Sequence, residues 1–216
     1  MTAKTTSTLE TRAALLDAAL HCFAELGFDG TSIRMVADRA GRPLSLISHH
    51  FGGKEGLYLE TLKNLFENSE IHRLAEPDPD PEPRSPAEAI RQFREAIHLL
   101  YTVTARPTYH PDPTHEANRR LLLRELHAPR PEVQAMLQAL LAPLRDRLRA
   151  CIHLLRPDLR EAEIAFLGWT ILGQAVLQGL LPGLGESVWG PNHLSEFKSA
   201  ELITEFALNG LGIRGA

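Results

Sequence analysis

Residues 31–57 read TSIRMVADRAGRPLSLISHHFGGKEGL. Gly41 breaks this stretch into two short patterned segments, Ile33–Ala40 and Pro43–His50. Glycine after one helix and proline in the first turn of the next punctuate two helices joined by a tight turn. In the first segment Ile33, Val36, Ala37 and Ala40 recur at helical spacing on one face. In the second, Leu44, Ile47 and Phe51 do the same, which leaves Ser45, Ser48 and His49 outward. Two short helices at a steep angle, the second with small polar residues outside, form the layout of a DNA-reading helix-turn-helix. An ordinary helix pair in an all-α domain fits the pattern as well, so the individual residues have to decide.

The residues resemble the N-terminal DNA-binding domain of the TetR family of bacterial repressors. The likeness is carried by GFDGTSIRMVADRAG (27–41), by HHF (49–51) closing the second helix, and by GGKEGLY (52–58). The preceding LETRAALLDAALHCFAELGF (9–28) is similar to the family's first helix. Together these cover about a quarter of the chain in one unbroken run. The recognition helix departs from the family pattern, with Ser45, Leu46 and Ser48 where Gly-Thr and a Tyr are frequent. Those positions help choose bases, so no operator sequence carries over.

The resemblance implies roles residue by residue. Arg34 reaches into the major groove, where arginine pairs bidentately with guanine. Leu44, Ser45, Leu46 and Ser48 face base edges, and His49, His50 and Lys54 sit at phosphates. Lys54 opens the next helix, whose dipole adds attraction for phosphate. Thr31 and Ser32 cap the helix that starts at Ile33 and touch the DNA backbone. A palindromic operator needs two recognition helices one DNA turn apart, so this reading requires a two-fold homodimer.

Bulk properties bound the rest. With 44% hydrophobic residues among 216, the chain can bury a substantial core. The net charge is −4, and residues 1–57 balance Lys4, Arg12, Arg34, Arg39, Arg42 and Lys54 against Glu10, Asp17, Glu25, Asp29, Asp38 and Glu55. That disfavours a non-specific DNA coater, which needs a large basic excess, and leaves a specific reader open. Ile164–Leu181 is the longest apolar candidate for a membrane span, but Gly168, Gly173, Gln174, Gln178 and Gly179 suit it to a packed helix interface. MTAKTTSTLETR has no signal-peptide core, so the chain reads as cytoplasmic. Cys22 and Cys151 are too few and too distant for a disulfide framework or zinc site and read as buried thiols. No cofactor or metal is expected.

The architecture reads as all-α: an N-terminal three-helix helix-turn-helix domain (1–56) and a C-terminal helical ligand-binding and dimerisation domain (57–216). The first helix runs over 8–26 with Gly27 as its stop. The fourth begins at Lys54 and runs to about Leu74. EPDPDPEPR (76–84) alternates proline with acid and cannot be helical. Ser85-Pro86-Ala87-Glu88 reads as a capping box opening a helix to about Thr104. Further helices are expected over 114–127, 132–155 with a kink at Pro143, 159–181 behind a capping box at Asp158–Glu161, and 195–211. PGLGESVWGPN (182–192) reads as a loop.

The helix 159–181 is apolar nearly all round and must be buried on several sides, either as a core helix or as a subunit interface. The resemblance implies the interface, made by the last two helices with Gly168, Ile171, Leu172, Gly173, Ala175, Val176, Gly179 and Phe206. NRRLLLREL (118–126) and LGQAVLQGLLPGL (172–184) are also similar to one subclass, the CecR-type regulators. The resemblance further implies a small-molecule effector between helices of the second domain. His98, Tyr101, Arg124, Glu125, His127 and Trp169 are the candidate anchors, with Arg124–Glu125 foremost. Control by a partner protein is the alternative. His110, His115, Glu116 and His127 raise a metal-dependent hydrolase, but their spacing does not match HExxH and no nucleophile–base pair accompanies them. The chain therefore reads as a regulator, not an enzyme.

Overall fold

The computed structural model describes residues 2–68, 70–77, 82–109, 113–127, 129–191 and 194–213. Every regular element among the described residues is helical. The α-helices are α1 (Thr2–Gly30), α2 (Ile33–Ala40), α3 (Ser45–Phe51), α4 (Lys54–Asn68), α5 (Pro86–Tyr109), α6 (Pro113–His127), α7 (Pro131–Leu155), α8 (Glu161–Leu180), α9 (Pro182–Trp189) and α10 (Glu196–Gly210), with a 3-10 turn over Glu70–Ala75. The chain packs into two compact units, Met1–Ser69 with Asp112–Leu137, and Glu70–Pro111 with Gln138–Ala216.

In the first unit α1 packs against α2, α4 and α6, and α3 packs against α4. Leu15, Ala19 and Phe23 of α1 close the core with Val36, Ile47, Leu57, Tyr58, Leu62 and Leu121. Each large apolar side chain buried here contributes roughly 1.5–3 kcal/mol of transfer free energy. Gly41 ends α2 in the left-handed region, at φ 61°, where its amide closes back on the Ala37 and Asp38 carbonyls. Glycine is tolerated there because it has no Cβ. Gly56 is needed for a different reason: a Cβ on it would lie 1.9 Å from the Phe51 carbonyl oxygen, so α4 starts hard against the end of α3.

In the second unit α5 packs against α8, α10 and the 3-10 turn, with α8 also touching α9 and α10. Phe93, Ile97, Leu100, Leu148, Ile152, Ile164 and Leu208 form its core. Buried Thr104 of α5 keeps its hydroxyl on the Leu100 carbonyl.

Several boundaries differ from the sequence reading. The first helical segment does stop at Gly27 as expected, where the backbone is non-helical (φ 74°, ψ 177°), and a short second segment within α1 then runs to Gly30. α4 stops at Asn68, and the segment expected to continue it folds as the 3-10 turn. The box opening α8 lies two residues later than expected, with the Glu163 carboxylate accepting from the Arg160 amide. Asp158 is instead held by the Arg156 guanidinium. Residues 182–189 are helical rather than looped, because Pro182 at a first-turn position starts a helix. Near Pro86 the expected cap is present: the Glu88 amide donates to Ser85 Oγ, and Glu88 accepts from the Arg84 amide. α7 remains assigned as one helix through Pro143. The division by role at residue 56 also differs from the packing units: the first unit runs on to Ser69 and takes in α6, because α6 packs on α1.

Candidate nucleic-acid interface

The α2–α3 pair is built from opposed faces. Val36, Ala37, Ile47 and Phe51 are buried, while Arg34, Ser45, Ser48 and His49 are exposed. Ser32 caps α2 by accepting from the Met35 amide at 3.2 Å. Thr31 corrects the sequence reading. It is 2% exposed and its hydroxyl bonds to the carbonyl oxygens of Cys22 and Gly27, so it locks the end of α1 and has no face toward DNA. Leu44 also departs from the apolar face first assigned to it, being 43% exposed at the mouth of α3. Leu46 and His50 are half-buried, and His50 lies between the His49 and Phe51 rings.

Cations around this surface are held unequally. Arg39 pairs with Glu25 at 3.3 Å. Arg12 pairs with Glu60 and lies over the Phe51 ring. Arg34 is an exposed residue with no ion-pair partner among the described residues. Lys54 at the head of α4 reaches the Asp29 carbonyl at 3.4 Å and lies 4.4 Å over the Phe28 ring. The arrangement can present donors to base edges and phosphates from one short segment.

The proposed effector anchors are not brought together. Arg124 and Glu125 belong to the first unit. Arg124 donates to the Ala24 and Glu25 carbonyls at the end of α1, and Glu125 is buried where it accepts from the Tyr58 hydroxyl. Both are therefore occupied in packing, a correction to their reading as ligand anchors; the leucine-rich surroundings of α6 fit a core helix as well as a pocket wall. Burial, and then the Glu125 carboxylate, push the Tyr58 hydroxyl pKa up, so it stays a donor. His127 is exposed, and Trp169 is 70% exposed. Tyr101 is buried. His98 keeps Nε2 buried without a partner beside Phe197, and burial followed by the Arg94 charge lowers its pKa. His110 lies outside the described residues; among these no cluster of His, Cys, Asp and Glu could hold a metal.

The interface residues also divide. Ile171 and Ala175 are buried in the core of their own unit, which corrects their assignment to a subunit interface. Gly168, Leu172, Gly173 and Val176 are half-buried, and only the backbone of Gly179 is described. Phe206 is 67% exposed. Its exposed companions are Phe166, Trp169 and Leu177 on α8, and Phe197 and Leu202 on α10; of these the sequence reading named only Trp169, and as an effector anchor. A cavity of about 450 Å³ opens between these helices, lined by Gln174, Gln178, Leu194, Ser199, Leu202, Ile203 and Phe206. The pattern that could have shown this face is the spacing of bulky residues on α8, which the small residues there obscured.

Residues 15–61 match the family model of the bacterial regulatory proteins, tetR family. Over these residues, less than a quarter of its length, the chain matches the DNA-binding segment of the tetR family. Among curated relatives, it is similar to the HTH-type transcriptional regulator BetI of Burkholderia lata, 34% identical over 85 residues, which are 38% of this chain and 44% of that protein. The chain thus matches less than half the length of that relative. Two solved tetR-like structures share the fold. A TetR-like transcriptional regulator from a Rhodococcus species is 21% identical with a TM-score of 0.56, over 94% of this chain and 96% of that one. AibR, solved with isovaleryl coenzyme A and operator DNA, is 16% identical with a TM-score of 0.58, over 91% and 97%. At these identities the structures establish the fold alone. No helix among the described residues is long and apolar enough to cross a membrane.

Proposed function

We propose that the protein is a dimeric transcriptional repressor that reads a palindromic DNA operator through α2 and α3 and is released by a small-molecule effector. The observation that carries the reading is the division of the α2–α3 pair. Its apolar residues are buried, while Arg34, Leu44, Ser45, Ser48 and His49 are presented together to solvent. Arg34 reads a guanine edge, the α3 side chains read neighbouring bases, and Ser32, His49, His50 and Lys54 hold phosphates. The near-neutral charge of this segment favours a few placed contacts over general attraction.

Dimerisation is supported by the exposed apolar side chains of α8 and α10, since clustered apolar surface commonly marks a protein interface. Effector control is supported by His98, a buried nitrogen without a partner beside an aromatic ring in the second unit. AibR, a neighbour in fold, was solved with both an acyl coenzyme A and operator DNA. Native mass spectrometry of the purified protein tests dimer and effector together. A dimer carrying a co-purified small molecule supports the reading, and a bare monomer contradicts it.

A further inference from the structure

Phe28 lies just beyond the Gly27 break in α1 and carries two cations. The Arg130 guanidinium sits 3.5 Å from its ring centroid and the Lys54 ammonium 4.4 Å. Phe23 stacks along Phe28, and Tyr58 meets it edge-on at 5.1 Å, so the ring is fixed from the core side. Arg130 stands between α6 and α7, in the same unit as Phe28 and Lys54. Its neighbours at that corner grip the same region. Arg124 satisfies the α1 carbonyls of Ala24 and Glu25, and Glu125 takes the Tyr58 hydroxyl one turn after Lys54.

We propose that Arg130 is a positioning residue for Lys54, acting through the Phe28 ring that both cations touch to set where the Lys54 ammonium meets a DNA phosphate. The inference rests on the DNA-binding reading above. An aromatic ring attracts a cation through its quadrupole. Lys54 rests on the Phe28 ring and also reaches the Asp29 carbonyl, while Arg130 pins the same ring from the corner between α6 and α7, so the ammonium is held at one place. Without Arg130 the ring is held less firmly, the Lys54 ammonium loses its fixed place and its phosphate contact weakens. Arg130 touches no base in this scheme, so base preference is unchanged.

A double-mutant cycle on binding to a mixed-sequence DNA duplex, measured across salt concentrations, tests this. Arg130→Ala is expected to weaken binding about 2- to 5-fold, the size of one exposed cation–π contact, and to flatten the salt dependence. In a Lys54→Ala background the same change is expected to do nothing further. Phe28→Leu, which removes the ring and keeps an apolar side chain, should reproduce the Arg130→Ala effect, and Arg130→Lys should restore most of the wild-type affinity. Equal losses from Arg130→Ala with and without Lys54 would overturn the proposal while leaving the DNA-binding reading intact. A wild-type protein that binds no duplex at all removes both. Circular dichroism of each variant identifies any that fail to fold, and the Arg130→Lys and Phe28→Leu pair then carries the test.

Discussion

The Tyr58 hydroxyl of α4 donates to Oε1 of Glu125 on α6, across 67 positions of sequence, in a buried setting. The other Glu125 oxygen, Oε2, is buried without a partner. A carboxylate held this way depends on its one donor, since a buried charge left alone is strongly unfavourable. Tyr58→Phe is therefore expected to destabilise the protein by roughly 1.5–3 kcal/mol. Glu125→Leu should cost less, because it removes the buried charge together with the bond. Denaturant unfolding of the two variants gives the comparison, and a milder effect from Tyr58→Phe than from Glu125→Leu would contradict it.

At the proposed DNA surface, positioning and reading should separate. Lys54→Ala is expected to weaken binding to every sequence and to lower the salt slope by about one. Arg34→Ala should cost roughly 1–3 kcal/mol and relax preference at one base pair in each half-site. Titrations against a selected site and a scrambled one distinguish these. If both variants weaken both duplexes equally, Arg34 does not read a base.

The proposed subunit interface is open to a clean substitution. A Cβ at Gly173 would meet nothing within 4 Å in its own chain. Gly173→Arg should leave the fold intact while placing a charge in the proposed apolar dimer face. A folded monomer by light scattering, with operator binding lost, is the expected outcome. A dimer that still binds DNA would move the interface away from α8.

His98 gives a pH signature. Its pKa is lowered in the fold from the ordinary 6.5, chiefly by burial and then by Arg94, with Glu201 opposing. The unfolded chain then binds a proton at a higher pH than the folded one. Stability from keeping His98 neutral is present above pH 6.5 and falls away as pH drops from there to the lowered folded value. His98→Gln should flatten the dependence of the unfolding free energy on pH in that window by up to one proton. An unchanged slope would mean His98 titrates normally.

An effector, once identified, should be linked to DNA reciprocally. A coupling of about 1–3 kcal/mol corresponds to a roughly 5- to 150-fold loss of DNA affinity, with the same factor lost by the effector when DNA is bound. An effector whose affinity ignores DNA would be uncoupled.

Much of this was legible in the residues. Gly41 and the apolar spacing marked the end and buried face of α2, and Ser85 and Glu88 marked the start of α5. Local chemistry determines those features, so a local reading finds them. What escaped was non-local. Nothing near Arg124 and Glu125 signals that α6 packs on α1, about 100 positions earlier. Thr31 looked like a cap because the helix starts two residues on, yet Gly27 turns the chain so that its hydroxyl reaches back to α1. The glycines and proline of 182–190 disguised α9, since a proline that begins a helix reads the same as one in a loop.

The central claim is that α2 and α3 read a specific palindromic site. Selection of bound duplexes from random-sequence DNA tests it most directly. The account predicts recovery of an inverted repeat whose half-sites lie one helical turn apart, about 10–10.5 base pairs centre to centre, or a multiple of that. Recovery of unrelated sequences with equal affinity would contradict it.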